Sequence, residues 1–159
     1  MPRTNRNTPN SGMAIVVLDR LSCEALPEAP QRAFISITNP RQAPAVLSAQ
    51  WLLRLGFHDV EAPLQGFIAM QEQHAREIFD FLERLPNNTQ ELIIHCEHGA
   101  SRSSAVGLFI SRWLDAPLSW KGNGAPNFWV LRCLKRHAFR RYFLKPTLWP
   151  RLHRVHRLQ

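Results

Sequence analysis

Short apolar runs alternate along this chain with amphipathic ones. The runs at 14–18 (AIVVL), 33–38 (AFISIT) and 92–94 (LII) are rich in β-branched residues and bounded by charged or turn-forming ones, the pattern of buried strands. A further apolar run at 48–55 ends at GFHDVEAP, which breaks away as loop. Between 71 and 85 the apolar residues Ala75, Ile78, Phe79, Phe81 and Leu82 recur among charges with a helical period, and Pro86-Asn87-Asn88 closes the segment. Residues 19–26 are expected to form a helical turn carrying Cys23, and another helix is expected from about Ser103. Residues 1–12 are polar and aperiodic, a disordered lead-in to a domain spanning 13–137. Alternating strands and helices predict an α/β fold: a central, mostly parallel sheet of four or five strands, flanked by helices, with its site at the carboxyl ends of the strands.

The stretch 92–114, LIIHCEHGASRSSAVGLFISRWL, joins a strand to a helix through a tight loop. That arrangement suits a phosphate cradle: backbone N–H groups of 97–102 (Glu97, His98, Gly99, Ala100, Ser101, Arg102) turn inward, and the helix adds the positive end of its dipole. Gly99 allows a positive φ or a close approach. Cys96 opens the loop and Arg102 follows six residues later. Converging N–H donors and a guanidinium favour the thiolate, the nucleophilic form of cysteine. The planar fork of Arg102 suits two non-bridging phosphoryl oxygens. Ser103 either donates to the Cys96 sulfur or caps the helix, and the two roles are compatible.

HCEHGASRS resembles the His-Cys-x-x-Gly-x-x-Arg-Ser signature of cysteine-dependent protein tyrosine and dual-specificity phosphatases. AFISITNP and LRLGFHDVEAPLQG are similar to the Asp/Asn-Pro turn and the acid-bearing loop of a bacterial branch of predicted tyrosine phosphatases. The resemblance covers about residues 14–136 and implies a tyrosine phosphatase-like fold and a phosphocysteine intermediate. It also implies a general acid on the loop after the third apolar run, where Asp59 is the first choice and Glu61 the alternative. His58 is placed to orient that acid. His95 is expected to support the loop and help lower the thiol pKa. His98 and Ala100 depart from the small and aliphatic residues common in the family, which changes the rim of the cradle. The segment 115–126 is short where related phosphatases have another helix.

Charge and cysteine content narrow the setting. Three cysteines without paired spacing argue against a disulfide framework and for a reducing, cytoplasmic compartment. Cys23 is a buried thiol or a resolving partner for oxidised Cys96, and Cys133 reads as packing. No Cys/His metal spacing appears, and neither metal nor cofactor is expected. The apolar run at 14–18 is too short for a signal peptide or membrane span. The formal net charge is +8, yet nine of the 20 Lys/Arg fall at 132–159 where no acid does, leaving 11 against 12 acids before it. The basic, aromatic tail at 138–159 suits polyanions or an anionic membrane surface, or else a helix docked through its aromatics with a solvated basic face.

The expected activity is hydrolysis of a phosphorylated protein or a small phosphomonoester. A non-catalytic phosphate-binding module is the alternative, as is a phosphatase of phosphoinositide or RNA 5′-phosphate.

Overall fold

A computed structural model describes residues 12–144. The elements run β1 (Ala14–Leu18), α1 (Arg20–Glu24), β2 (Arg32–Thr38), β3 (Trp51–Gly56), α2 (Glu72–Arg84), β4 (Glu91–His95), α3 (Arg102–Leu114), β5 (Leu118–Trp120) and α4 (Phe128–Tyr142). The five strands form one all-parallel sheet in the order β3-β2-β4-β1-β5, the expected α/β architecture. Parallel pairing brings the carboxyl ends of every strand to the same edge, so the loops after β1, β2, β3 and β4 meet there. No helix among the described residues is long and apolar enough to cross a membrane.

Alternation along the strands assigns two unequal cores. Ile15, Ala33, Ile35, Leu92 and Ile94 belong to the larger one, with Ile78 and Phe79 of α2, Val106 and Ile110 of α3, and Val130 and Leu134 of α4. The intervening Phe34 and Ile93 join Cys23 of α1 in a smaller cluster on the other face. There the residues just before β3 serve as cover. Leu47 and Ala49 pack on this cluster, and the strand within the 48–55 run begins only at Trp51.

The C-terminal side adds one element and moves one boundary. The segment 115–126 contains a strand, β5, paired in parallel with β1. Three residues are too few to carry a periodic signal. The expected domain boundary after 137 falls inside α4, which continues to Tyr142. Ala138 and Tyr142 are buried, Tyr142 donates its hydroxyl to Glu83 (2.7 Å), and Arg141 pairs with Asp80 and Glu83 at 2.7 and 2.8 Å. Docking therefore uses Tyr142, whereas Phe139 and Phe143 stack on each other at the surface. Trp149 and the rest of the tail lie outside the described residues, as does the lead-in at 1–11.

If Tyr142 anchors the last turn of α4, Tyr142→Ala should cost about 3 kcal/mol of unfolding free energy, the range for removing a buried aromatic. Chemical denaturation measures this, and a loss within about 0.5 kcal/mol, the range of an ordinary surface substitution, would show that the turn is not docked.

Candidate active site

The loop between β4 and α3 is shaped by what presses on it. Gly99 has φ +64°, and a Cβ there would lie 2.6–2.8 Å from the backbone of Leu18 and Asp19, so both conformation and contact require glycine. Arg20 N–H donates to Glu97 O (3.2 Å) from the same β1–α1 turn. On the other side Trp120 Nε1 donates to Gly99 O (2.9 Å). Gly124 lies so close to Ala100 that a Cβ would meet its methyl at 2.6 Å.

Cys96 is buried at the start of this loop, its sulfur 3.1 Å from Ser103 Oγ. Burial opposes its ionisation, but the Ser103 hydroxyl and backbone N–H, the Arg102 charge and the Gly99 N–H outweigh burial and hold the thiol below its usual value. Ser103 is thus a thiolate partner, and the N-cap position belongs to Ser101. His95 is fully buried. Its Nε2 lies 2.7 Å from Ser36 Oγ, a cross-strand neighbour in register, and its Nδ1 lies 3.3 Å from Cys96 O. Burial is the main influence lowering the His95 pKa, which favours the neutral ring, so His95 supports the loop by hydrogen bonding and does not stabilise the thiolate by charge.

Arg102 is 4% exposed. Its Nη1 donates to Asn39 Oδ1 (2.9 Å) and Phe57 O (2.8 Å), at the ends of β2 and β3. Its Nε is buried with no hydrogen-bond partner among the described residues. The guanidinium is therefore clamped at one corner, with an unmet donor left elsewhere on the fork.

Asp59 Oδ1 accepts from Ser101 Oγ and from Asn127 Nδ2, both at 2.8 Å. Asn127 also donates its backbone N–H to Ser101 O (3.1 Å) and caps α4 through Val130 N–H (2.9 Å). Glu61 instead accepts from the Phe128 N–H at the start of α4 (3.1 Å), so the two carboxylates have different tasks. His58 closes the base of the acid-bearing loop: its N–H donates to Ile68 O (2.7 Å) and its Nδ1 accepts from Ile68 N–H (2.9 Å).

The Glu97 side chain turns to Gln42 (3.2 Å) and Arg20 (3.7 Å), and His98 is exposed on the rim. Cys23 sits in the smaller core, where burial pushes its thiol up to about 12 and keeps it protonated, the wrong state for a resolving nucleophile. Sequence reasoning missed Asn39, Ser36, Trp120 and Asn127 as site residues. Asn39 showed only as a turn before Pro40, and Asn127 carried the ordinary sign of an N-cap before an apolar run. No family model, curated protein or solved structure matches the chain.

Removing the Ser103 hydroxyl should raise the Cys96 pKa, because the thiolate loses a hydrogen-bond donor while its burial is unchanged. The pH dependence of iodoacetamide alkylation in Ser103→Ala measures this, and an unshifted curve would assign the low pKa to other donors. His95 gives a second pH dependence, of the whole protein's stability. Its folded pKa lies below the unfolded value of about 6.5, so its contribution to stability is present above that pH and is lost as pH falls through the folded pKa. His95→Asn should flatten the fall in stability below about pH 6.5, followed by denaturant midpoints.

Proposed function

We propose that the protein hydrolyses phosphomonoesters through a phosphocysteine intermediate, acting as a protein tyrosine or dual-specificity phosphatase. The observation that carries this reading is the unpartnered Arg102 Nε, buried beside a loop whose thiol is held toward its anionic form. A buried cationic donor without an acceptor is costly, and a phosphoryl oxygen would satisfy it. The chain's likeness to the tyrosine phosphatase signature at 95–103 supports the same reading.

In the proposed reaction the Cys96 thiolate attacks phosphorus as the bond to the leaving oxygen breaks. Asp59 transfers its proton to that oxygen. Arg102 and the loop N–H groups hold the equatorial oxygens, so positioning and charge stabilisation need no metal. A water then attacks the phosphocysteine, giving a proton to the Asp59 carboxylate, and the sulfur leaves as thiolate. The hydrogen bond from Ser103 stabilises that leaving thiolate.

Cys96→Ser should reduce aryl phosphate turnover, assayed with chelator present, to background while phosphate binding persists. Retained turnover would remove the mechanism. Binding without turnover in the unaltered protein would instead favour a phosphate reader. Arg102→Lys should lose about 10²–10³-fold, because an ammonium cannot reproduce the fork.

Asp59→Asn should slow aryl phosphates by about 10²-fold and alkyl phosphates further, since an alkoxide leaves poorly without a proton. Equal losses for both classes would exclude Asp59 as the proton donor. A loss seen in Glu61→Gln alone would move the role to that residue.

A further inference from the structure

A groove of about 530 Å³ lies between the acid-bearing loop and α4. None of the cradle residues lines it. Leu64, Phe67, Met70 and Trp129 give it an apolar lining, and Arg136 and Arg140 of α4 also border it. Leu64 and Phe67 are 55% and 50% exposed and are joined by the Phe67 N–H to Leu64 O hydrogen bond (3.1 Å), so the two apolar side chains border the groove from one turn. The volume is that of a site for a small ligand or a few peptide side chains.

The charge beside this groove selects the ligand. Arg132, Arg136 and Arg140 recur every fourth residue and so form one stripe along α4. The Arg132 guanidinium lies over the Trp129 ring, 5.7 Å from its centroid. Among the described residues neither Arg132 nor Arg136 has an ion-pair partner. Arg140 approaches Glu72 only at 3.7 Å, and Glu72 is already held by His137 at 2.6 Å. Of the residues that line the groove, Arg136 and Arg140 are cationic and Glu72 is acidic, so the groove carries one cation more than it compensates, next to exposed apolar surface.

Spacing then favours an extended peptide. Four helical residues advance about 6 Å, and alternate residues of an extended chain are about 6.6 Å apart. Two acidic residues separated by one apolar residue would face Arg136 and Arg140, and the residue between them would turn the other way, toward Leu64 and Phe67. We propose that this groove docks an extended acidic segment of a partner protein through an acid-apolar-acid pattern. That the partner is the phosphoprotein being hydrolysed rests on the phosphatase reading, whereas the docking does not.

The test uses the full chain carrying Cys96→Ser and a fluorescent, unphosphorylated Gly-Asp-Phe-Asp-Gly peptide, followed by anisotropy. Binding should be about tenfold tighter than for Gly-Asp-Ser-Asp-Gly, which has the same charge but no anchor. Arg136→Ser with Arg140→Ser should remove about tenfold of that affinity, and Phe67→Ser should abolish the preference for phenylalanine. Arg136→Ser alone, which leaves the Glu72 contacts in place, should show part of the loss with an unchanged melting temperature. Equal affinity for the two peptides, or affinity unaltered by the arginine changes, would overturn the proposal. So would binding to phosphatidylserine vesicles that depends on Arg136 and Arg140 when the peptides do not discriminate. Because the peptide carries no phosphate and the protein lacks its nucleophile, neither result depends on turnover.

Discussion

Burying a guanidinium costs several kcal/mol unless its donors are met and its charge is answered, and Arg102 meets part of that cost by drawing strand ends together. Asn39 follows β2, Phe57 follows β3, and both accept from Nη1. Cys96 follows β4 and lies at the start of the same loop. These ends can converge on one cation only because the strands run parallel. An antiparallel neighbour would bring its amino end to this edge and send the needed carbonyl and amide to the other. The sheet topology is thus part of the electrostatics of the site.

The remaining strands secure the loop itself. β1 ends against Gly99, where Leu18 and Asp19 leave no room for a side chain, and β5 ends in Trp120, whose indole holds the Gly99 carbonyl. Holding both sides of Gly99 fixes the direction of the adjacent N–H groups before any ligand arrives, which is the condition for electrostatic preorganisation. The Ser36–His95 pair extends the same support beneath Cys96. A neutral His95 can bond to both Ser36 and the Cys96 carbonyl without adding a charge to an already cationic pocket.

The sequence was most legible where local pattern and chemistry coincide. The apolar runs located β1, β2 and β4, the helical period located α2, and the spacing of Cys96, Gly99, Arg102 and Ser103 located the loop. It was less legible where a role depends on a distant partner. β5 has three residues, and its place is set by pairing with β1. Asn39 reads locally as a turn and Asn127 as a helix cap, and both descriptions are true. Their contacts with Arg102 and Asp59 span 63 and 68 residues of sequence, beyond what any local signal carries. At 138 the concentration of positive charge suggested the start of a tail, whereas the buried positions of α4 continue through Tyr142.

The two halves of the site rest on different supports. Cys96 and Arg102 are set by strand ends, so their geometry belongs to the sheet. Asp59 sits on a loop whose base is closed by His58 and Ile68, and its contacts to the rest of the protein pass through α4 and Ser101. Asn127 joins these systems: one side chain caps α4 and holds Asp59, while its backbone holds Ser101. Glu61 to Phe128 and Trp129 to Met70 add two more ties between the acid-bearing segment and the first turn of α4. A displacement of that helical turn would therefore move the carboxylate relative to a thiol and guanidinium that the sheet keeps in place. Since the groove is bounded by this same loop and helix, a segment docked as proposed would bear on the position of the Asp59 carboxylate and not on the strand ends that hold Cys96 and Arg102.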